Sequence, residues 1–267
     1  SSLFHLPNDG AKFEFVNAQV PEAFVGLDIR PEDTIIHLAA MTDATSSVGR
    51  FQEVLENNLR STEGAIDAAT RTGAKLVFPS STSVYGSQDE WVDESCSELR
   101  PQSPYAEVKL LEEAAILRSR DTGLRATILR LGTIAGYSVG MRFHTAVNKF
   151  CWQAAYGQPL EVWRTALHQR RPYLHVKDAC GAIRWASQRE FSDPALFNIV
   201  TENASVHDIV ESIRTFGLDP VVNFVDSPIM NQLSYNVSGI LARDSGFQAQ
   251  LRIQDGVNEV LRALVPH

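Results

Sequence analysis

A tyrosine and a lysine stand four residues apart in Tyr105-Ala106-Glu107-Val108-Lys109, a spacing that places a phenol and an ammonium on one face of a helix. Such a pair suits redox chemistry at a carbon that bears a hydroxyl. An unperturbed tyrosine has a pKa of roughly 10 and is a poor base at neutral pH. A neighbouring ammonium favours the phenolate and lowers that value. Tyr105 can then take or return a hydroxyl proton while hydride moves at the same carbon. A serine hydroxyl nearby would hydrogen-bond the same oxygen, and Ser81 is the candidate. The spacing alone is a weak signal, because most such pairs are surface neighbours on a helix. The surrounding elements give it weight.

The pair opens a helix. Ser103 can cap its first turn, and Pro104 suits the first helical position, where its missing N–H has no partner to lose. This helix is expected to end near Thr122-Gly123. Upstream, Lys75 to Pro79 reads as a strand that runs into Ser80-Ser81-Thr82-Ser83-Val84-Tyr85-Gly86. Downstream, Arg125 to Arg130 is a second apolar strand. Earlier still, Phe13 to Val16 alternates like a strand and Thr34 to Leu38 reads as a short buried one. Between them and Lys75, an amphipathic helix is expected from Phe51 to Thr72, closed by Gly73. Strands alternating with helices imply a parallel sheet covered on both faces. In such sheets ligands collect at the carboxyl ends of the strands. Ser81 and the end of the Arg125–Arg130 strand both lie there.

After about residue 137 the pattern loosens. Helices are expected near 142–156, 206–216 and 253–264, and one more follows Tyr173-Leu174-His175-Val176 to about Ser187. Short strands are expected at 159–163, 197–200 and 221–225. This divides the chain into residues 1–137 and a smaller lobe of residues 138–267, with segments near 171–200 returning to the first part.

The 267 residues are 44% hydrophobic and 21% charged, ordinary values for a folded globular chain. A formal charge of −8 argues against nucleic-acid binding, which needs a basic surface. No apolar run approaches the ~18 residues of a membrane span. Cys96, Cys151 and Cys180 are widely spaced, form no metal-binding pattern and suggest a reduced, cytoplasmic setting.

Several segments, taken in order, carry a resemblance. They are His37-Leu38-Ala39-Ala40, Asn57-Asn58-Leu59, Ser80–Gly86, Ser103–Lys109, Leu129-Arg130-Leu131-Gly132-Thr133 and Arg171-Pro172-Tyr173-Leu174-His175-Val176-Lys177-Asp178. Together they resemble the extended short-chain dehydrogenase/reductase family, in particular its sugar-nucleotide epimerases and dehydratases. The resemblance implies an α/β fold: a Rossmann-like, doubly wound parallel sheet that binds a dinucleotide, with a smaller C-terminal α/β substrate lobe. It implies Ser81, Tyr105 and Lys109 as the catalytic set. Leu38, Ala39, Ala40, Asn57, Ser80, Tyr105, Lys109, Leu131 and Gly132 would lie along NAD or NADP, with NAD favoured. Ser81, Thr82, Tyr105, Thr133 and Arg171 would face the substrate, Arg171 at a nucleotide diphosphate. Tyr85 would sit at the edge of that site or pack beneath it. His37 reads as a structural strand-end histidine. The helices Phe51–Thr72 and Ser103–Thr122 resemble the pair through which this family dimerises, so a homodimer is implied, with no metal, membrane or nucleic-acid partner.

The departures are informative. In the family's hexose dehydratases, acidic side chains follow the catalytic hydroxyl just before Val-Tyr-Gly. Here Thr82 and Ser83 stand there, which turns the reading towards epimerisation or simple reduction. Thr133 replaces a usual asparagine. The Gly-x-x-Gly-x-x-Gly turn that cradles a pyrophosphate does not occur in the sequence, and Phe13–Val16 would correspond to the third strand of the fold. The expectation is that some ~40–60 residues precede Ser1, on the scale of one βαβ unit with its extensions. Three readings follow: an NAD(P)-dependent epimerase of a nucleotide-linked sugar, a reductase or dehydrogenase of another carbonyl or sugar, and a non-catalytic dinucleotide-binding or scaffolding protein.

Overall fold

Apolar runs too short for buried helices alternate with amphipathic segments, and in the computed structural model they form a parallel sheet with helices on both faces. The structure describes residues 13–42, 49–89, 91–190, 194–226 and 234–265. Its elements begin with β1 (Thr34–Ile36), α1 (Phe51–Thr72), β2 (Lys75–Ser81), β3 (Trp91–Val92), α2 (Pro104–Arg118), β4 (Ala126–Leu131) and β5 (Thr133–Ala135). They continue with α3 (Ala146–Ala155), β6 (Leu160–Trp163), β7 (Arg170–His175), α4 (Val176–Gln188), β8 (Ala195–Ile199) and β9 (Glu202–Ser205). The last are α5 (Val206–Phe216), β10 (Val222–Val225), β11 (Asn236–Val237), α6 (Ile240–Asp244) and α7 (Ile253–Leu264).

The main sheet has the order β1-β2-β4-β8, and every pairing in it is parallel. Strands covered on both faces have no solvent side to alternate with, which is why β2 and β4 read as nearly continuous apolar runs. Leu76 and Phe78 of β2 pack with Ala65, Ala68 and Ala69 of α1 and Ile116 of α2. Val77, between them, faces the opposite way with Leu129 of β4 and Ala179, Ala182 and Ala186 of α4. The alanines let the helices approach the sheet closely. Gly73 ends α1 with φ +74°, a left-handed conformation that favours glycine.

Three smaller sheets flank this one. Strand β7 pairs parallel with β5 and antiparallel with β9. Strand β6 pairs with β10 and β3 with β11, both parallel. Helices α3, α5 and α7 close a separate apolar core that includes Val147, Phe150, Leu160, Ile209, Ile213 and Val257.

Several expectations shift. Phe13–Val16 forms no strand, and Phe13 and Phe15 are exposed. An extended segment becomes a strand only when a neighbour accepts its backbone bonds, and among the described residues nothing pairs with it. The helix expected from 142 begins at Ala146. Strand β2 runs on to Ser81 rather than stopping at Pro79.

Candidate active site

Strands β2 and β4 lie in register, with Ser81 opposite Leu131 at their carboxyl ends. Helix α2 starts beside them. The Ser103 hydroxyl accepts the Ala106 N–H at 3.2 Å and Pro104 holds the first position, so the helix begins at Tyr105's door. One turn later comes Lys109. The Ser81 hydroxyl is close enough to the Tyr105 phenol to favour its ionised form, and the Lys109 ammonium lies 5.9 Å from the centre of the Tyr105 ring. The three side chains expected to react together are therefore neighbours, carried by one strand end and one helix.

Lys109 is buried. Its Nζ sits 4.4 Å from the centre of the Phe78 ring and 3.0 Å from Glu112 Oε2, with Glu112 wholly buried. Burial pushes the Tyr105 phenol well above its ordinary range. The Glu112 charge adds to that, and the Ser81 hydroxyl opposes it. Ser81 also pairs with Ser83, Oγ to Oγ at 2.9 Å, and accepts the Ser83 N–H at 3.2 Å. The side chain beside Ser81 is thus a second hydroxyl.

Other expected residues are placed differently. Thr82 is buried, and its hydroxyl donates to the Leu131 carbonyl at 3.3 Å, so it points into the fold instead of towards a substrate. Ser80 is also buried and donates to Glu113 Oε1 at 2.5 Å, which leaves its hydroxyl engaged beneath the site. Tyr85 is fully buried, its hydroxyl 2.9 Å from both the Asp93 carbonyl and Asn198 Oδ1. Of its two expected roles, packing is the one the structure shows.

Leu38 and Ala39 are exposed and Ala40 is half-buried, just past the end of β1. Asn57, expected to orient groups there, is exposed and donates to Asn58 Oδ1 at 2.9 Å. The side chain that reaches the loop is Asn58. Buried on α1, it accepts the Met41 N–H at 2.8 Å and donates to the Met41 carbonyl at 3.2 Å. Adjacent asparagines look alike in a sequence. Only the apolar stripe of α1, which places Val54, Asn58 and Ala65 on the inner face, could have separated them.

Gly132 and Thr133 follow β4. The Gly132 N–H donates to the Ile199 carbonyl at 2.9 Å, and a Cβ on Gly132 would stand 3.0 Å from the Tyr173 carbonyl carbon. A side chain here would crowd the backbone of β7 where β4 hands over to β5. Arg171 is half-buried on β7. Its charge acts on the phenols of Tyr173 and Tyr235, both of which burial pushes upward.

Two buried acids escaped the sequence reading. Glu113 receives Arg130 in a two-pronged pair, with Arg130 Nε 3.0 Å from Oε1 and Nη2 2.7 Å from Oε2. Glu112 accepts the Thr62 hydroxyl at 2.6 Å, and Thr62 lies 3.1 Å from His37 Nε2. Burial lowers the His37 pKa to about 4, with the Lys109 charge acting the same way.

The donor set suits the nicotinamide end of a dinucleotide. Lys109 carries three N–H donors, Glu112 faces one side of its ammonium, and the remaining donors match vicinal ribose hydroxyls. Leu131 and Gly132 lie at the same carboxyl end of the sheet. A parallel sheet with this site at the carboxyl ends of its strands defines the Rossmann-like class of α/β folds, in which such crevices take dinucleotides.

The comparisons with known proteins sharpen that class. Residues 14–199 match the NAD dependent epimerase/dehydratase family, and the chain belongs to that family. It is 30% identical over 154 residues to a dTDP-glucose 4,6-dehydratase of Streptomyces niveus, covering 57% of this chain and 45% of that protein. It is 26% identical over 203 residues to a UDP-glucose 4-epimerase of Streptomyces lividans, covering 71% and 62%. Among solved structures, MoeE5 in complex with UDP-glucuronic acid and NAD superposes with a TM-score of 0.77 at 27% identity, over 86% of this chain and 78% of that one. The chain thus spans about half the length of the dehydratase. No helix among the described residues is long and apolar enough to cross a membrane.

Proposed function

We propose that the protein is an NAD(P)-dependent epimerase, with NAD favoured, that acts on a nucleotide-linked sugar through a transient keto intermediate. The observation that carries this reading is the Ser81–Ser83 hydroxyl pair beside Tyr105. The two positions before Val84-Tyr85-Gly86 hold Thr82 and Ser83, where the family's dehydratases place acids. Elimination of water needs a proton donor and a base at the neighbouring carbon, and these hydroxyls supply neither readily. Epimerisation needs only reversible transfer at one carbinol.

In this reading Tyr105 takes the proton of the sugar hydroxyl while Ser81 hydrogen-bonds the same oxygen. Lys109 would hold the ribose hydroxyls, and its charge favours the phenolate form of Tyr105 that accepts this proton. A bound nicotinamide supplies hydride acceptance and return. Arg171 grips the diphosphate, which leaves the sugar ring free to turn and present its other face. Tyr105 then gives the proton back. The protein works as a homodimer through α1 and α2, where Leu111 and Leu117 of α2 are exposed.

The test uses the full chain with NAD and UDP- or dTDP-linked hexoses, followed by NMR of the sugar and absorbance of the nicotinamide. An epimer that accumulates with no net change in absorbance is the expected result. Stoichiometric cofactor turnover would assign the second reading, a reductase or dehydrogenase. Absence of dinucleotide binding by calorimetry would sink both and leave the non-catalytic reading.

A further inference from the structure

The Lys109 ammonium has two claimants. One is the Tyr105 phenol, whose ring centre is 5.9 Å away. The other is the Glu112 carboxylate, 3.0 Å away and 0% exposed. Glu112 is itself held on its second oxygen by the Thr62 hydroxyl at 2.6 Å. Because that hydroxyl donates to Glu112, it must accept from His37 Nε2, 3.1 Å behind it. This fixes the His37 tautomer. The result is a buried chain from the end of β1 through α1 to α2, ending on the lysine of the catalytic set.

We propose that Glu112 is a positioning residue of this site, anchoring the Lys109 ammonium and competing with Tyr105 for its charge, so that Tyr105 is a weaker acid than an undivided ammonium would make it and, once it has taken a proton, holds it for return to a carbonyl oxygen. The inference rests on Tyr105 as the proton-transfer group and goes beyond the choice between epimerase and reductase. An ammonium beside a lone phenol would favour the phenolate. An ammonium already neutralised by a buried carboxylate does so less. The groups that face this pair from neighbouring elements are consistent with the role. His37 from β1 is held neutral by burial, Thr62 from α1 is a donor, and Phe78 from β2 is apolar. Glu113 is turned to Arg130 of β4 and Ser80 of β2, so its charge is satisfied separately.

The test reads Tyr105 directly, in the full chain without substrate or cofactor. 3,5-Difluorotyrosine at position 105, intrinsically more acidic than tyrosine, brings the titration into a range where the protein stays folded, and its fluorine resonance reports ionisation. Glu112→Gln should lower the midpoint by about one pH unit, and Glu112→Asp, which keeps the charge, should restore most of it. With substrate, the acid limb of the kcat profile should move the same way. A midpoint in Glu112→Gln equal to or above that of the parent overturns the proposal, as does an Asp variant that shifts as far as Gln. If Glu112→Gln does not fold, Glu112→Asn against Glu112→Asp makes the same charge comparison, with Asn expected lower. The titration involves no turnover, so failure of the epimerase reading leaves it unmoved.

Discussion

The two halves of the interior are built on different principles. Under α3, α5 and α7 the core is built of apolar side chains, Val147, Phe150, Leu160, Ile209, Ile213 and Val257 among them, and the polar groups α3 buries there, Asn148 and Gln153, are uncharged. Between the main sheet and α1 and α2, the apolar layer is interrupted by His37, Thr62, Lys109, Glu112, Glu113 and Arg130, each 6% exposed or less. Burying charge is costly unless every partner is present. The polar half accepts that cost beside Tyr105, the proposed proton-transfer group, and the apolar half lies away from it. The difference teaches that truncation in one half should leave an unpaired charge, and in the other only a cavity.

The largest effect expected is on chemistry. Tyr105→Phe should lower kcat by about 10²- to 10⁴-fold with the thermal unfolding profile unchanged, and steady-state kinetics check it. Next comes stability. Arg130→Ala strands Glu113 in the interior and should cost about 3–5 kcal/mol in denaturant unfolding. The paired replacement Arg130→Met with Glu113→Leu should recover most of that loss, since an apolar pair leaves no charge behind. Recovery of nothing would show that the pair is not what the polar half depends on.

His37 sets the next scale. It stays neutral in the folded protein down to about 4, whereas an unfolded chain protonates it below roughly 6.5. The unfolded state therefore binds more protons between those values, so stability falls as pH drops through the window, by about 3 kcal/mol in all. His37→Gln should flatten that slope in a pH series of urea melts. The smallest effect belongs to the apolar half: Ile213→Val should cost about 0.5–1.5 kcal/mol, with no dependence on pH.

Much of the framework was legible because its signals are local. The bounds of α1, from Phe51 to the glycine at 73, follow from a long amphipathic period and a left-handed stop. The start of α2 follows from its serine cap and proline. What escaped depends on partners far along the chain. The two-residue strands Trp91–Val92 and Asn236–Val237 pair with each other and are too short to show a period. Phe13–Val16 has a strand's alternation without a strand's neighbour among the described residues. At the site, Ser81, Tyr105 and Lys109 could be read from spacing and order. Glu112 and Glu113 could not, because two adjacent acids on a helix read as solvated surface, and their burial depends on Lys109, Thr62 and Arg130 arriving from three elements.

The most direct test of epimerisation at this site uses a nucleotide-linked hexose deuterated at the carbon to be inverted, with the full chain and NAD. We expect the epimer to keep its deuterium on the opposite face of the ring, with no deuterium in free nicotinamide and no net change in its absorbance. Deuterium accumulating in released cofactor, or an inverted product that has exchanged its label with water, would contradict the account.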